Sequence, residues 1–128
     1  MIEPKSDDPT HRLFWEAAGR HELVIQRCTS CGHYQFYGRP FCLACGANDV
    51  AWVPARGTGT IYSMTTVRME LGEPFAPPYI VAIVELDEGP RLTTNIVGVP
   101  GKIGNRVRVT WRERQDAPPL PLFELATP

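Results

Sequence analysis

All four cysteines of the chain lie in two copies of one short pattern, Cys28-Thr29-Ser30-Cys31-Gly32 and Cys42-Leu43-Ala44-Cys45-Gly46, with ten residues between the pairs. Two Cys-x-x-Cys turns offer four thiolates at a spacing that suits a tetrahedral ion, and Zn²⁺, which has no geometric preference of its own, accepts such a set at about 2.3 Å per sulfur. The glycine after each pair lets the backbone turn back behind the second sulfur through positive φ. Iron in a rubredoxin-like site is the other candidate metal.

A pair of disulfides is the competing use of four cysteines, and it requires an oxidising compartment. The first residues, Met1-Ile2-Glu3-Pro4-Lys5-Ser6-Asp7-Asp8, lack the apolar stretch of a secretion signal, and no uninterrupted apolar run is long enough to span a bilayer. A cytoplasmic protein with no membrane segment is expected. A redox Cys-x-x-Cys is expected once and beside a βαβ pattern, whereas here it is duplicated among strand-like sequence. With Cys28, Cys31, Cys42 and Cys45 as ligands the site is closed, so the metal holds a fold and performs no reaction. His33 is read as solvated or hydrogen-bonded rather than as a ligand.

Residues 1–20 are read as a tail and a docking helix, 21–54 as a zinc ribbon and 55–128 as a second small domain. The helix is bounded by Asp8 or Thr10 at its start and Gly19 at its stop. Its apolar residues Leu13, Phe14, Trp15, Ala17 and Ala18 cover most of its circumference, so it docks either on another protein or on the adjoining barrel. In the ribbon, residues 22–27 alternate with Leu23 and Ile25 on one side, residues 34–37 leave the first turn as a strand, and residues 49–56 return as a third. Tyr34, Phe36, Tyr37 and Phe41 are expected to wrap the metal. A piece of roughly thirty residues buries too little apolar surface to fold alone, so metal binding supplies its folding free energy.

From Gly57 the chain reads as a β-barrel. Residues 57–67 form a long β-branched strand bending at its two initial glycines. Residues 80–86 and 91–97 form a hairpin about Asp87-Glu88-Gly89-Pro90, residues 100–105 a connector, residues 106–114 a strictly alternating strand, and residues 120–125 the last strand. The predicted fold is therefore mainly β: an N-terminal helix, a rubredoxin-like zinc ribbon and a five-stranded oligonucleotide/oligosaccharide-binding barrel, the OB-fold.

In such a barrel ligands lie on strands two and three and between the loops joining strands one to two and four to five. The first loop, residues 68–78, is proline-stiffened and carries Met69, Leu71 and Phe75, which either meet an apolar partner or plug the barrel mouth. The second, residues 115–119, is stiff and featureless. Single-stranded nucleic acid requires stacking aromatics on strands two and three, and only Tyr79 is there. The net charge of −1 divides as five Lys or Arg against six acids before residue 55 and eight against eight after it, a balance unlike that of nucleic-acid binders. Arg106, Arg108, Arg112 and Arg114 form the one basic stripe, read as a solvated sheet face or a contact to phosphates or an acidic partner. Catalysis has little to work with: Ser63 and Thr93 have no histidine at a readable spacing, and the acids Asp87 and Glu88 sit in a turn.

Taken together, the Arg39-Pro40-Phe41-Cys42 turn, Gly57-Thr58-Gly59-Thr60-Ile61-Tyr62-Ser63, Pro78-Tyr79-Ile80-Val81-Ala82-Ile83-Val84-Glu85-Leu86, Leu92-Thr93-Thr94-Asn95-Ile96-Val97-Gly98 and the Phe14-Trp15-Glu16 helix resemble the acyl-CoA-associated OB-fold proteins with an N-terminal rubredoxin-like zinc ribbon. The resemblance covers residues 10–125. It implies a non-catalytic accessory subunit of a thiolase-type complex, or of a thiolase-like aldolase or acyltransferase, stabilising a thiolase-fold catalytic partner in a hetero-oligomer of the α2β2 kind. It also implies a structural Zn²⁺ and a CoA thioester bound together with the partner. Phe14, Trp15, Arg68, Met69, Leu71, Phe75 and Arg91 are the expected CoA or partner contacts. A stand-alone acyl-CoA-binding module and a single-stranded nucleic-acid-binding OB protein are the alternatives.

Overall fold

The computed structural model describes residues 8–69 and 77–126. Asp8 caps a 3-10 turn, Pro9–His11, its Oδ1 accepting the Thr10 N–H at 3.0 Å, with proline in the first position where no N–H is needed. Helix α1, Arg12–Ala18, follows and ends at Gly19. Seven residues do not hold a helix by themselves. Its stability comes from packing: Phe14, Trp15, Ala17 and Ala18 are buried, and α1 lies against the last strand of the barrel and the first of the ribbon. The helix therefore docks on its own chain, leaving Leu13, 47% exposed, as its outward apolar residue.

The ribbon is a three-stranded antiparallel sheet in the order β2-β1-β3, with β1 Val24–Cys28, β2 Tyr34–Gln35 and β3 Val50–Pro54. Two expectations change here. Leu23, Val24, Ile25 and Gln26 are all buried, so the middle of the segment is covered on both faces and only Glu22 and Arg27 at its ends are exposed. The second strand stops at Gln35, and Phe36 turns into the core beside Phe14 at 5.4 Å between ring centroids. Tyr37 reaches the barrel, where its hydroxyl accepts the Thr93 N–H at 3.4 Å. These two aromatics thus join the two parts of the chain instead of wrapping the cysteines.

The remaining strands are β4 Thr58–Val67, β5 Tyr79–Leu86, β6 Arg91–Ile96, β7 Arg106–Arg114 and β8 Ala117–Leu125. They close in the order β4-β5-β6-β8-β7, with β4 pairing β7 over Thr58, Gly59 and Thr60. That is the OB-fold connectivity, and β4 shifts register between Ile61 and Ser63, which lets one long strand serve both neighbours. The barrel is filled by Ile61, Ala82, Val84, Leu86, Leu92, Val107, Leu120, Leu122 and Phe123, in one buried cluster with the helix and ribbon residues.

The last strand begins earlier than expected, so residues 115–119 are not a loop. Gln115 and Asp116 alone turn the chain, Asp116 at φ 62°, and Ala117, Pro118 and Pro119 already belong to β8. The ladder to β7 is irregular between Arg112 and Arg114, where proline's missing N–H has least to break.

Candidate metal centre and surrounding surface

Each Cys-x-x-Cys turn closes in the same way. The Gly32 N–H donates to Cys28 O and the Gly46 N–H to Cys42 O, both at 2.8 Å. The Cys28 N–H donates to His33 O at 2.9 Å and the Cys42 N–H to Ala47 O at 2.8 Å. Gly32 and Gly46 sit at φ 80° and 79°, the left-handed backbone anticipated from the motif. Two superposable turns thereby aim four sulfurs at one point: the Sγ atoms of Cys28, Cys31, Cys42 and Cys45 lie within 4.8 Å of one another. Across the turns, Cys28 and Cys45 are 3.6 Å apart and Cys31 and Cys42 3.7 Å. Zinc–sulfur bonds of about 2.3 Å in a tetrahedron place sulfurs about 3.8 Å apart, so the donor set fits the ion. His33 is not among the clustered residues.

The two turns treat their sulfurs unequally. Backbone N–H groups point at the first cysteine of each pair, Cys31 N–H to Cys28 Sγ at 3.5 Å and Ala44 N–H to Cys42 Sγ at 3.4 Å. The amide of Cys45 does most to lower the Cys42 thiol, which falls to about 7, and the amide of Cys31 lowers that of Cys28. For Cys45 an amide from Ala47 pulls downward, but the Cys28 sulfur and burial together outweigh it and push the thiol up to about 12. Cys31 is raised as well, burial and the Cys42 sulfur exceeding the downward pull of the His33 amide. Cys28 and Cys42 are buried as whole residues, whereas Cys31 and Cys45 are exposed as residues and lose hydration at the sulfur, where the other three thiols crowd it.

Sequence reasoning missed the residues that hold the second turn. Gln26 and Gln35 are buried partners in the β1–β2 ladder. Gln35 donates to Phe41 O at 3.0 Å and accepts from the Leu43 N–H at 2.9 Å, bracketing Cys42, while Gln26 accepts the Arg39 N–H at 2.8 Å. The available signal was two glutamines in sequence that otherwise reads as strand.

The expected contact residues scatter. Phe14 and Trp15 are 2% and 4% exposed and are core residues, a correction that follows from the short helix needing every apolar face it has. Arg68 and Met69 are exposed at the end of β4, Met69 at 71%. Leu71 and Phe75 lie outside the described residues. Arg91 pairs with Glu85 at 3.0 Å and lies over the Tyr62 ring at 3.7 Å. In the basic stripe, Arg106 binds Asp87 through two bonds of 2.7 and 2.8 Å, Arg108 binds Glu124 at 2.8 Å, and Arg114 donates to Pro118 O at 2.8 Å beside Trp15. Two histidines have structural partners: His11 accepts the Gly38 N–H at 3.0 Å, and His21 bonds Glu113 while stacking on Trp111. Among the described residues no helix is long and apolar enough to cross a membrane.

A four-cysteine knuckle ribbon leading into a closed five-stranded OB barrel defines the class. Residues 15–51 match the model described as the ChsH2 rubredoxin-like zinc ribbon domain, and residues 52–112 match the ChsH2 C-terminal OB-fold domain. The chain belongs to this ChsH2 (DUF35) family. It is 44% identical to a protein of Thermomonospora curvata named probable enoyl-CoA hydratase alpha subunit, over 99% of this chain but only 41% of that protein. It is 32% identical to a DUF35 domain-containing scaffold protein of Methanothermobacter thermautotrophicus, covering 81% of this chain and 82% of the relative. Among solved structures, a chain titled Ltp2-ChsH2(DUF35) aldolase superposes with a TM-score of 0.87 at 37% identity, covering 97% of this chain and 100% of that one.

Proposed function

We propose that this chain is a non-catalytic accessory subunit of a thiolase-fold enzyme acting on an acyl-CoA, stabilising that enzyme and helping to form its acyl-CoA site. The observation that carries the reading is the end-to-end correspondence with the chain of the structure titled Ltp2-ChsH2(DUF35) aldolase, whose whole length is covered. The scaffold name of the archaeal relative points the same way. Within the chain, the four thiols form one closed donor set, which suits a structural zinc and leaves no ligand position for substrate. A reduced, cytoplasmic setting accords with those thiols.

The thioester is bound jointly with the partner. Arg68 and Met69 stand exposed just past the end of β4, offering a cation for a phosphate and apolar surface for the acyl or pantetheine arm, to which Leu71 and Phe75, outside the described residues, are proposed to add. Arg91, at the opposite end of β5 from Arg68 and paired with Glu85, is the second cation assigned to the thioester or the partner.

A hydratase partner is the second reading, favoured by the 44% identity to a chain named as a hydratase alpha subunit, of which this sequence spans 41%. Co-expression with a thiolase-fold enzyme and, separately, with a hydratase subunit, followed by gel filtration, tests both. Co-elution with the thiolase-fold enzyme supports the first reading. Separate peaks there, with full activity in the large subunit alone, remove it.

A further inference from the structure

A cleft of about 350 Å³ separates the ribbon from the barrel, with His33, Tyr34, Phe36 and Leu43 on one wall and Glu88 and Pro90, from the β5–β6 turn, on the other. The volume falls within the range of small-ligand sites, which favour junctions of this kind. Its walls join the aromatic and aliphatic surface of Tyr34, Phe36, Leu43 and Pro90 to the polar His33 and Gln35, and Leu43 is 58% exposed. The acid in it is half satisfied. Glu88 Oε2 accepts the Arg56 N–H at 2.8 Å, whereas Oε1 is shielded from solvent and has no donor among the described residues. Asp87 beside it is already engaged by Arg106 and Thr58. With one amide donor the Glu88 carboxylate keeps an under-compensated negative charge on the cleft wall, and a cation entering the cleft is drawn to it.

We infer that this cleft receives a basic side chain, arginine in preference to lysine, projected by a partner polypeptide. The alkyl stem lies along Tyr34, Phe36, Leu43 and Pro90, and the planar guanidinium donates to Glu88. Charge complementarity selects the occupant: a phosphate of coenzyme A meets Glu88 as a like charge, so the cleft is separate from the thioester site proposed above. Which polypeptide supplies the arginine rests on the accessory-subunit reading; the preference for a cation belongs to this chain alone.

The zinc-loaded full chain, labelled with ¹⁵N, is titrated by NMR with acetyl-Leu-Arg-Leu-amide and with the same peptide carrying citrulline, the neutral isostere. The arginine peptide is expected to shift the amides of residues 33–36 and 88–89 and to bind about tenfold more tightly than the citrulline peptide. Glu88→Gln keeps an acceptor for the Arg56 N–H and should erase that difference. Leu43→Ser, at an exposed position, should weaken both peptides alike. Equal affinities for the two peptides, an unchanged preference in Glu88→Gln, or stronger shifts of the same amides by coenzyme A overturn the inference. None of these outcomes depends on co-elution with an enzyme, so the two tests fail independently.

Discussion

Gln35 Nε2 donates to Gln26 Oε1 at 2.8 Å, directly across the β1–β2 ladder where the two residues are register partners. Both amides are buried, and their other bonds go to the backbone at Arg39, Phe41 and Leu43, so they fix the path of the chain into and out of Cys42. Groups that orient a metal ligand in this way typically govern about 10–100-fold in affinity. Gln35→Ala should therefore weaken zinc by that order in a chelator competition, with the ribbon losing order at residues 39–46. Wild-type affinity in this variant would show that the turn holds itself.

His11 ties the leading segment to the ribbon. Its Nδ1 lies 3.0 Å from Asp8 and its Nε2 accepts the Gly38 N–H, in a pocket floored by Trp52. His11→Phe keeps the ring but strands the buried Gly38 N–H, a loss of about 1–3 kcal/mol. Urea denaturation of the zinc-loaded protein measures it, and an unchanged midpoint would contradict the assignment.

The barrel seam has no room at Gly59. A β-carbon there strikes the Glu85 carbonyl oxygen and approaches Val84 Cγ1 at 3.0 Å, in the stretch of β4 that pairs with both β5 and β7. Because the obstacle is backbone, Gly59→Ala should cost at least the ~1–3 kcal/mol typical of overpacking. A thermal melt within a degree or two of wild type would refute this.

Much of this architecture was legible locally and little of it at long range. The cysteine spacing and its glycines specify the knuckles within five residues each, and the alternation of Val107, Val109 and Trp111 with arginines marks β7 to its ends. Phe14 was misplaced because its neighbours Phe36 and Trp52 are distant in sequence, and Trp15 because Arg114, which lies over its ring, is more distant still. Gln26 and Gln35 carry no local mark of their role, since an amide's burial depends on carbonyls that only the folded loop supplies. Pro118 and Pro119 read as loop, yet they lie in β8 beside an irregularity in its ladder that no local rule announces.

Asp87 joins the β5–β6 turn to β7 through Arg106. The Arg106 guanidinium, then the Thr58 hydroxyl, hold its carboxyl down to about 2. A carboxylate lowered in the folded state stabilises above its unfolded value, near 3.9, and that contribution is lost as pH falls through the folded value. The pair is partly exposed, with side chains 53% and 21% accessible, so after solvent screening about 1 kcal/mol remains. Asp87→Asn should lower stability by about that amount at pH 7 and flatten its decline between about pH 4 and 2. A decline as steep as that of wild type would assign the acid sensitivity elsewhere.

The central claim is that this chain contributes surface and scaffold while the reacting groups belong to its partner. The most direct measurement is turnover of an acyl-CoA substrate by the zinc-loaded chain alone, by the thiolase-fold enzyme alone, and by the two mixed. No turnover from the chain alone and a higher, more stable rate from the mixture is the expected result. Turnover by the chain alone, abolished by substituting a side chain within it, would contradict the account.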